Sequence, residues 1–367
     1  MIGIINYHLA DNYGAVLQSY ALQKVIQGLG YNCEIIDYRC PYILKHYKLL
    51  HFNSVPQLAS DIVYLRDHIR RKRGFAAFRV KNLVLSEKPY TPDNIKSSNA
   101  LYRVFITGSD QVFNYTNTGF DEAYFLDFVD NSNYKCAYAA SFGFSEIPDD
   151  YVSRYKNLLK GFEYISFREQ SGSALYYKLT AENAQTLLDP TLVAEREIWD
   201  FDNKSKNKYE PYILAYFLER SSKAFAFVNK LKQLAGLRVI YIGSLIKRHR
   251  ANLDAEFMGA LSPDQFVNLF KNATYVVTNS FHGTAFSVVF EKQFWVNPLE
   301  NGKTTNDRFV SLLNQIGLMN QIIPDDYNEE YMKEKIDYSK VNARLDRCRQ
   351  EAFDYLMKIC KLDEVRI

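Results

Sequence analysis

The chain is poor in the features that announce several large protein classes. Among its 367 residues five are cysteine (Cys33, Cys40, Cys136, Cys348 and Cys360), and no two of them stand in a CxxC spacing. An odd number without paired spacing argues against a disulfide framework and a zinc site, and it fits a reducing compartment. No apolar run approaches the ~20 residues that cross a bilayer. The opening stretch MIGIINYHLADNYG lacks a basic region followed by a long apolar one, so no secretory signal is expected and a cytoplasmic location is. Net charge is +3, far from the strongly basic balance of a nucleic-acid binder, so no nucleic-acid partner is expected. That charge suits a small anionic substrate or loose contact with an anionic membrane surface. Neither a GxGxxG fingerprint nor a Walker A, HExxH or GxSxG sequence occurs, which leaves hydride transfer, P-loop, zincin and hydrolase readings unsupported. Internal repeats and low-complexity segments are also lacking.

What is present is ordinary apolar material and many aromatic rings. The hydrophobic fraction is 47% and the charged fraction 24%, enough to bury two cores in a chain long enough for two domains. Tyrosine and phenylalanine number 28 and 25 against 2 tryptophans. Tyrosine offers a stacking face and a hydroxyl, which suits carbohydrate, although it also fills half-buried surface.

Periodicity gives an alternation of strands and helices. Ile2 to Asn6 reads as a strand. Tyr13 to Gln27 reads as an amphipathic helix, capped by Asn12 and stopped by Gly30. Cys33 to Tyr38 reads as the next strand, so the unit implies a crossover and a parallel sheet. Residues 41–98 are polar and basic, with the run Arg70-Arg71-Lys72-Arg73, read as a solvated helical face or else a membrane or acceptor contact. Strands over Arg103–Thr107, Cys136–Ala140 and Tyr164–Phe167 end in polar residues, where open α/β sheets bind ligands. After a polar stretch the pattern restarts: a strand at Tyr212–Phe217, a helix at Lys223–Ala235, a strand at Arg238–Ile242. A helix at Pro263–Lys271 opened by Ser262 follows, then a strand at Tyr275–Thr278 and a helix at Gly283–Phe290. The expected fold is α/β: two doubly wound Rossmann-like domains facing a cleft. The boundaries read 1–200 for the N-terminal domain, 201–210 for a linker and 211–325 for the C-terminal domain. Residues 326–367 form a helical tail that packs back on the N-terminal domain.

Three constellations could carry chemistry. Asn279-Ser280-Phe281-His282-Gly283-Thr284 sits between a buried strand and a helix. A helix start offers N–H groups and partial positive charge to a phosphate or carboxylate, Gly283 permits close approach, and the His282 imidazole could give or take a proton. The alternative is a capped loop with a structural histidine. Arg168 could clamp an anion with Glu169 orienting it, or the two form a structural ion pair. Asp110 could act as a base toward a hydroxyl, or cap the next helix.

The ordered series Gly3-Ile4-Ile5, Asn12-Tyr13-Gly14-Ala15-Val16-Leu17-Gln18, Gly108-Ser109-Asp110-Gln111-Val112-Phe113-Asn114, Tyr138-Ala139-Ala140-Ser141-Phe142-Gly143, Ser166-Phe167-Arg168-Glu169, Asp189-Pro190-Thr191 and Asn279 through Phe286 resembles the polysaccharide pyruvyl transferase family. Phe113 stands where that family usually shows Trp, with an aromatic surface expected to survive. Residues 41–98 match nothing in it. The resemblance implies a GT-B-like arrangement of the two domains and a reaction that moves the enolpyruvyl group of phosphoenolpyruvate onto a sugar hydroxyl pair of a surface polysaccharide or its precursor. A GT-B nucleotide-sugar glycosyltransferase and a non-catalytic carbohydrate-binding protein are the alternatives. Phosphoenolpyruvate would meet Arg168, Ser280, Phe281, His282, Gly283, Thr284 and Arg308, with Arg248 and His249 as weaker candidates. His282 would serve as acid and Asp110 as base. The acceptor, lipid-linked or free, would meet Asn12, Tyr13, Gly14, Asp110, Gln111 and Asn114, supported by Glu169 and Asn279. The scheme implies no cofactor and no metal. It implies a cytoplasmic protein, or one visiting the inner face of the membrane.

Overall fold

The computed structural model describes residues 1–50, 55–201, 210–243, 253–299 and 306–364. The chain divides into two compact units, the first made of Met1–Lys48, Arg79–Glu195 and Asp346–Ile367, the second of Leu49–Phe78 and Arg196–Leu345. Two segments depart from the boundaries read from sequence. Residues 49–78 group with the second unit, and the 326–367 tail is split at residue 345. Contacts account for it: Arg71 donates to the Gly259 carbonyl and Gly74 packs on Ser262, while along Tyr338–Lys361 the Tyr338 hydroxyl donates to the Lys292 carbonyl and the Tyr355 hydroxyl to the Ala137 carbonyl. Within the expected linker, residues 202–209 lie outside the described residues.

The first unit holds a parallel sheet of β1 (Ile2–Ile5), β2 (Cys33–Ile35), β3 (Val104–Gly108), β4 (Tyr134–Ala140), β5 (Phe162–Phe167) and β6 (Gln185–Thr186), in the order β2-β1-β3-β4-β5-β6. Both β1 and β3 are buried along their full length, as unbroken apolar runs are when helices cover both faces. The chain steps from β1 to β2 on one side and then returns past β1 to β3. That reversal makes the sheet doubly wound and opens a crevice at the carboxyl ends of β1 and β3. The helix Tyr13–Gly28 follows β1, with the Asn12 side chain accepting from the Ala15 N–H and Gly30 at φ +90° just beyond its end.

In the second unit β7 (Tyr212–Tyr216), β8 (Arg238–Ile242), β9 (Glu256–Phe257), β10 (Tyr275–Thr278) and β11 (Gln293–Val296) form a parallel sheet ordered β11-β10-β7-β8-β9. Its reversal falls between β7 and β10. The helix Pro263–Asn272, which leads into β10, is opened by Ser262, whose backbone N–H donates to the Gln265 side chain at 3.1 Å.

Each unit has its own aromatic-rich core. In the first, Phe113 stacks on Phe125 at 4.7 Å and lies against Phe142, Phe162 and Phe167. It has no exposed surface. Phe113 is therefore a core ring, and the aromatic surface expected at this position is not presented.

Candidate active site

In the first unit the polar groups gather where β3, β4 and β5 end. After β3 the backbone turns through Ser109 and Asp110, both at positive φ (21° and 63°), a conformation that costs non-glycine residues energy and must be held by its surroundings. The Ser109 hydroxyl donates to Asp189 (2.7 Å), Ser141 N–H donates to the Asp110 carbonyl (2.9 Å), and the Asp110 carboxylate accepts from the Gln111 N–H (2.9 Å). No helix starts at Asp110. The next one, Tyr115–Thr118, is capped by Asn114, whose side chain accepts from Thr116 N–H. The capping alternative thus belongs to Asn114, because the left-handed turn at 109–110 delays the helix.

Arg168 follows β5 and is enclosed. Its guanidinium lies 2.9 Å from Asp189, 3.5 Å from Asp110 and 3.9 Å from Glu169. Its side chain is 1% exposed. Burial alone would lower its pKa, but the three carboxylates, Asp189 foremost, raise it above the ordinary arginine value. Glu169 accepts from the Ser141 hydroxyl at 2.7 Å, and Asp189 also accepts from the N–H and hydroxyl of Thr191 at 2.9 and 2.7 Å. This is the structural ion-pair alternative of the sequence reading, enlarged to three carboxylates.

Of the residues expected to meet an acceptor, Asn12 is exposed while Tyr13 and Gly14 are buried in the first helical turn. The Gln111 side-chain carbonyl is held by Asn114 at 2.7 Å and Asn117 at 3.3 Å.

Sequence reasoning missed part of this crevice. His8, fully buried after β1, sits with Nε2 at 3.3 Å from Asp37, which Arg39 also contacts at 3.0 Å. Burial would raise the Asp37 carboxyl, but hydrogen bonds to His8 and Arg39 bring it below its usual value. Asn6 is 1% exposed with neither side-chain polar atom partnered among the described residues. The signal for these groups was their position at a strand end, since 29 residues separate His8 from Asp37.

In the second unit the Thr278 hydroxyl donates to the Tyr216 carbonyl (2.7 Å), tying β10 to β7 at their carboxyl ends. Asn279 spans the same gap, accepting from Leu218 N–H and donating to the Glu219 carbonyl, both at 2.8 Å. The helix that follows is Phe281–Val289, capped by Ser280 accepting from the Gly283 N–H at 3.4 Å. It begins two residues before the sequence-based start, because Ser280 rather than a later residue takes the cap. His282 therefore lies in the first turn, 8% exposed, edge-on to Phe281 at 5.2 Å. A Cβ on Gly283 would collide with Thr278 Oγ1 and come within 3.0 Å of the Tyr216 ring. The missing side chain of Gly283 thus lets the helix come close to the two strands. Thr284 is fully buried and donates to the Ser280 carbonyl. Arg308 stands in the first turn of Asp307–Ile316, a helix packed on Phe281–Val289. Arg248 and His249 lie outside the described residues.

Among the described residues no group of three or more His, Cys, Asp and Glu side chains is arranged to hold a metal ion. No described helix is long and apolar enough to cross a membrane.

Two doubly wound parallel sheets, each with polar groups at its switch point, define an α/β protein. The chain belongs to the polysaccharide pyruvyl transferase family, whose description matches residues 12–296. That match covers every strand of both sheets from β2 to β11. Comparison with curated proteins finds no matching relative. Among solved structures, the UDP-GlcNAc 2-epimerase of Methanocaldococcus jannaschii aligns at 11% identity and TM-score 0.48, over 94% of this chain and 92% of that one. The Neisseria meningitidis UDP-GlcNAc 2-epimerase aligns at 9% and 0.45, over 97% and 99%. The Escherichia coli ADP-heptose lps heptosyltransferase II aligns at 10% and 0.40, over 95% and 98%. Similarity at this level says nothing about substrate.

Proposed function

We propose that the protein transfers the three-carbon unit of phosphoenolpyruvate to a pair of hydroxyls on a saccharide, lipid-linked or free, forming a pyruvate ketal and releasing phosphate. The observation that carries this reading is the Ser280-capped start of Phe281–Val289 at the switch point of the second sheet, with His282 in its first turn. The donor bears a phosphate and a carboxylate. A helix N-terminus supplies directed N–H groups and partial positive charge, and Arg308, in the first turn of a helix that packs on this one, would supply a full one in this reading.

In this reading His282 gives a proton to the methylene carbon, which becomes the methyl group. The central carbon turns oxocarbenium-like and a first hydroxyl attacks it, losing its proton to Asp110. The carbon–oxygen bond to phosphate breaks, and the second hydroxyl closes the ketal. Of the two hydroxyl protons one ends on the methyl group and one on phosphate, so no redox partner, cofactor or metal enters. Holding donor and acceptor in line can itself be worth ~7–11 kcal/mol. Asp110 keeps 14% of its side chain exposed where Glu169 and Asp189 keep 2% and 0%. That difference makes it the carboxylate of the trio that an acceptor hydroxyl can reach. Arg168, assigned to the donor from the sequence, becomes a positioning residue for Asp110. The reading puts the protein in the cytoplasm, with a lipid-linked acceptor met at the inner face of the membrane.

Binding tests the donor assignment. Phosphoenolpyruvate at about 100 times its dissociation constant should stabilise the protein by about 2.7 kcal/mol. His282→Ala and Arg308→Ala should lose most of that gain while melting near wild type without ligand. Stabilisation by nucleotide sugars but not by phosphoenolpyruvate would overturn the assignment in favour of a glycosyltransferase.

A further inference from the structure

Away from the strand ends, charge is most segregated on the helix Leu65–Asn82. Residues 66–73 hold five cations and one carboxylate, net +4, in a chain whose total is +3. The exposed positions recur at helical spacing, Arg66, Arg70, Arg73 and Ala77, so the three guanidinium groups share one face over roughly 10 Å of axis. None of the three forms an ion pair among the described residues.

The opposite face anchors the helix. Phe75 and Phe78 are buried, Arg71 lies over the Phe75 ring at 5.3 Å and donates to the Gly259 carbonyl, and Gly74 approaches Ser262 so closely that a Cβ would sit 2.8 Å from its side chain. The arginine face is thus not needed to hold the helix in place. Next to it, at the end of the preceding helix, Ile62 and Val63 are 58% and 74% exposed. These two residues, Leu65, Ile69 and the three arginines line an open groove of about 890 Å³, with Asp67 as its one carboxylate against three guanidinium groups.

Exposed aliphatic side chains beside unpaired arginines are complementary to one kind of surface, with phosphates in a plane and hydrocarbon below it. A nucleic acid would use the arginines but leave Ile62 and Val63 in water, and stacking on bases would call for aromatic rings. A free phosphate would want an enclosed site. We infer that this face docks on an anionic lipid bilayer, with Ile62 and Val63 entering the interface and Arg66, Arg70 and Arg73 pairing with lipid phosphates. The inference stands apart from the donor chemistry, because it uses none of the strand-end residues.

The test is cosedimentation of the full chain with vesicles of phosphatidylcholine alone and of phosphatidylcholine mixed with phosphatidylglycerol. The mixed vesicles should capture the protein and the neutral ones should not, with capture falling as salt rises. Arg66→Gln/Arg70→Gln/Arg73→Gln should weaken partitioning about a hundredfold, at roughly fivefold per arginine. The triple lysine variant should keep binding, which separates lost charge from a damaged fold. Ile62→Ser/Val63→Ser should weaken capture while leaving its salt dependence. Equal capture by both vesicles, or wild-type capture of the glutamine variant, would overturn the inference. So would tighter binding to duplex DNA than to vesicles, or displacement by inorganic phosphate at matched ionic strength.

Discussion

Replacing Arg168 by Met removes the guanidinium that faces Asp189, Asp110 and Glu169 at 2.9, 3.5 and 3.9 Å. Two of those carboxylates are almost wholly buried and would lose this guanidinium. Breaking a buried ion pair from one side costs ~3–5 kcal/mol. For a unit of this size each kcal/mol moves the melting temperature by roughly 2–4 °C, so the first unit should melt roughly 6–20 °C early at neutral pH. The loss should depend on pH. With the cation gone, burial favours the protonated carboxyl, so the folded variant holds more protons than the unfolded chain. Its stability then falls as pH rises, and the deficit against wild type narrows as pH drops from 8 toward ~4, the unfolded carboxylate range. Arg168→Met/Asp189→Asn should recover part of the loss by removing one of the stranded charges. Calorimetric melts at several pH values between 5 and 8 read all of this. A variant that melts within ~2 °C of wild type, or whose deficit does not change with pH, would refute the account of the cluster.

Gly283→Ala should destabilise the second unit by ~1–3 kcal/mol despite alanine's better helix propensity, since the added methyl meets Thr278 and Tyr216; a denaturant melt showing stabilisation would contradict that packing. Lys292 is pushed down to about 8, first by burial and then by Arg196. A depressed lysine means that the folded state holds fewer protons, so its contribution rises between about pH 8 and the unfolded value near ~10.4; Lys292→Gln should flatten the stability profile over that window. Burial pushes the Cys33, Cys40 and Cys360 thiols up to about 12 and raises Cys136 also, while Cys348 is half-buried. A thiol reagent should therefore label the native protein at Cys348 first and reach all five cysteines only after denaturation.

Local signals in the sequence were read with most success where a single side chain decides them. Asn12, Ser262 and Gly30 mark helix ends because capping and left-handed turns act over a few residues. The start of Phe281–Val289 was displaced because both Ser280 and the residues after it could open a helix, and only the hydrogen bond to Gly283 decides. The two-residue strands β6 and β9 are too short to carry a period. The site was legible as a set of polar strand ends, but not as a set of contacts. Ser109 meets Asp189 across 80 residues and Arg168 meets it across 21, distances that a parallel sheet closes and a linear sequence does not show. Asp189-Pro190-Thr191 was visible as a motif, and its geometry is that of a short helix start, with Asp189 accepting from Thr191 N–H. Its second role, facing Arg168, follows only from the sheet order.

The most direct measurement mixes the protein with phosphoenolpyruvate and a panel of saccharides, lipid-linked galactosides among them, and follows phosphate release together with product mass. The account predicts phosphate release that requires an acceptor, a product heavier by one pyruvate ketal, and loss of turnover in His282→Ala and Asp110→Asn without loss of fold. Turnover of a nucleotide sugar with no pyruvylated product, or full activity in the His282→Ala variant, would contradict it.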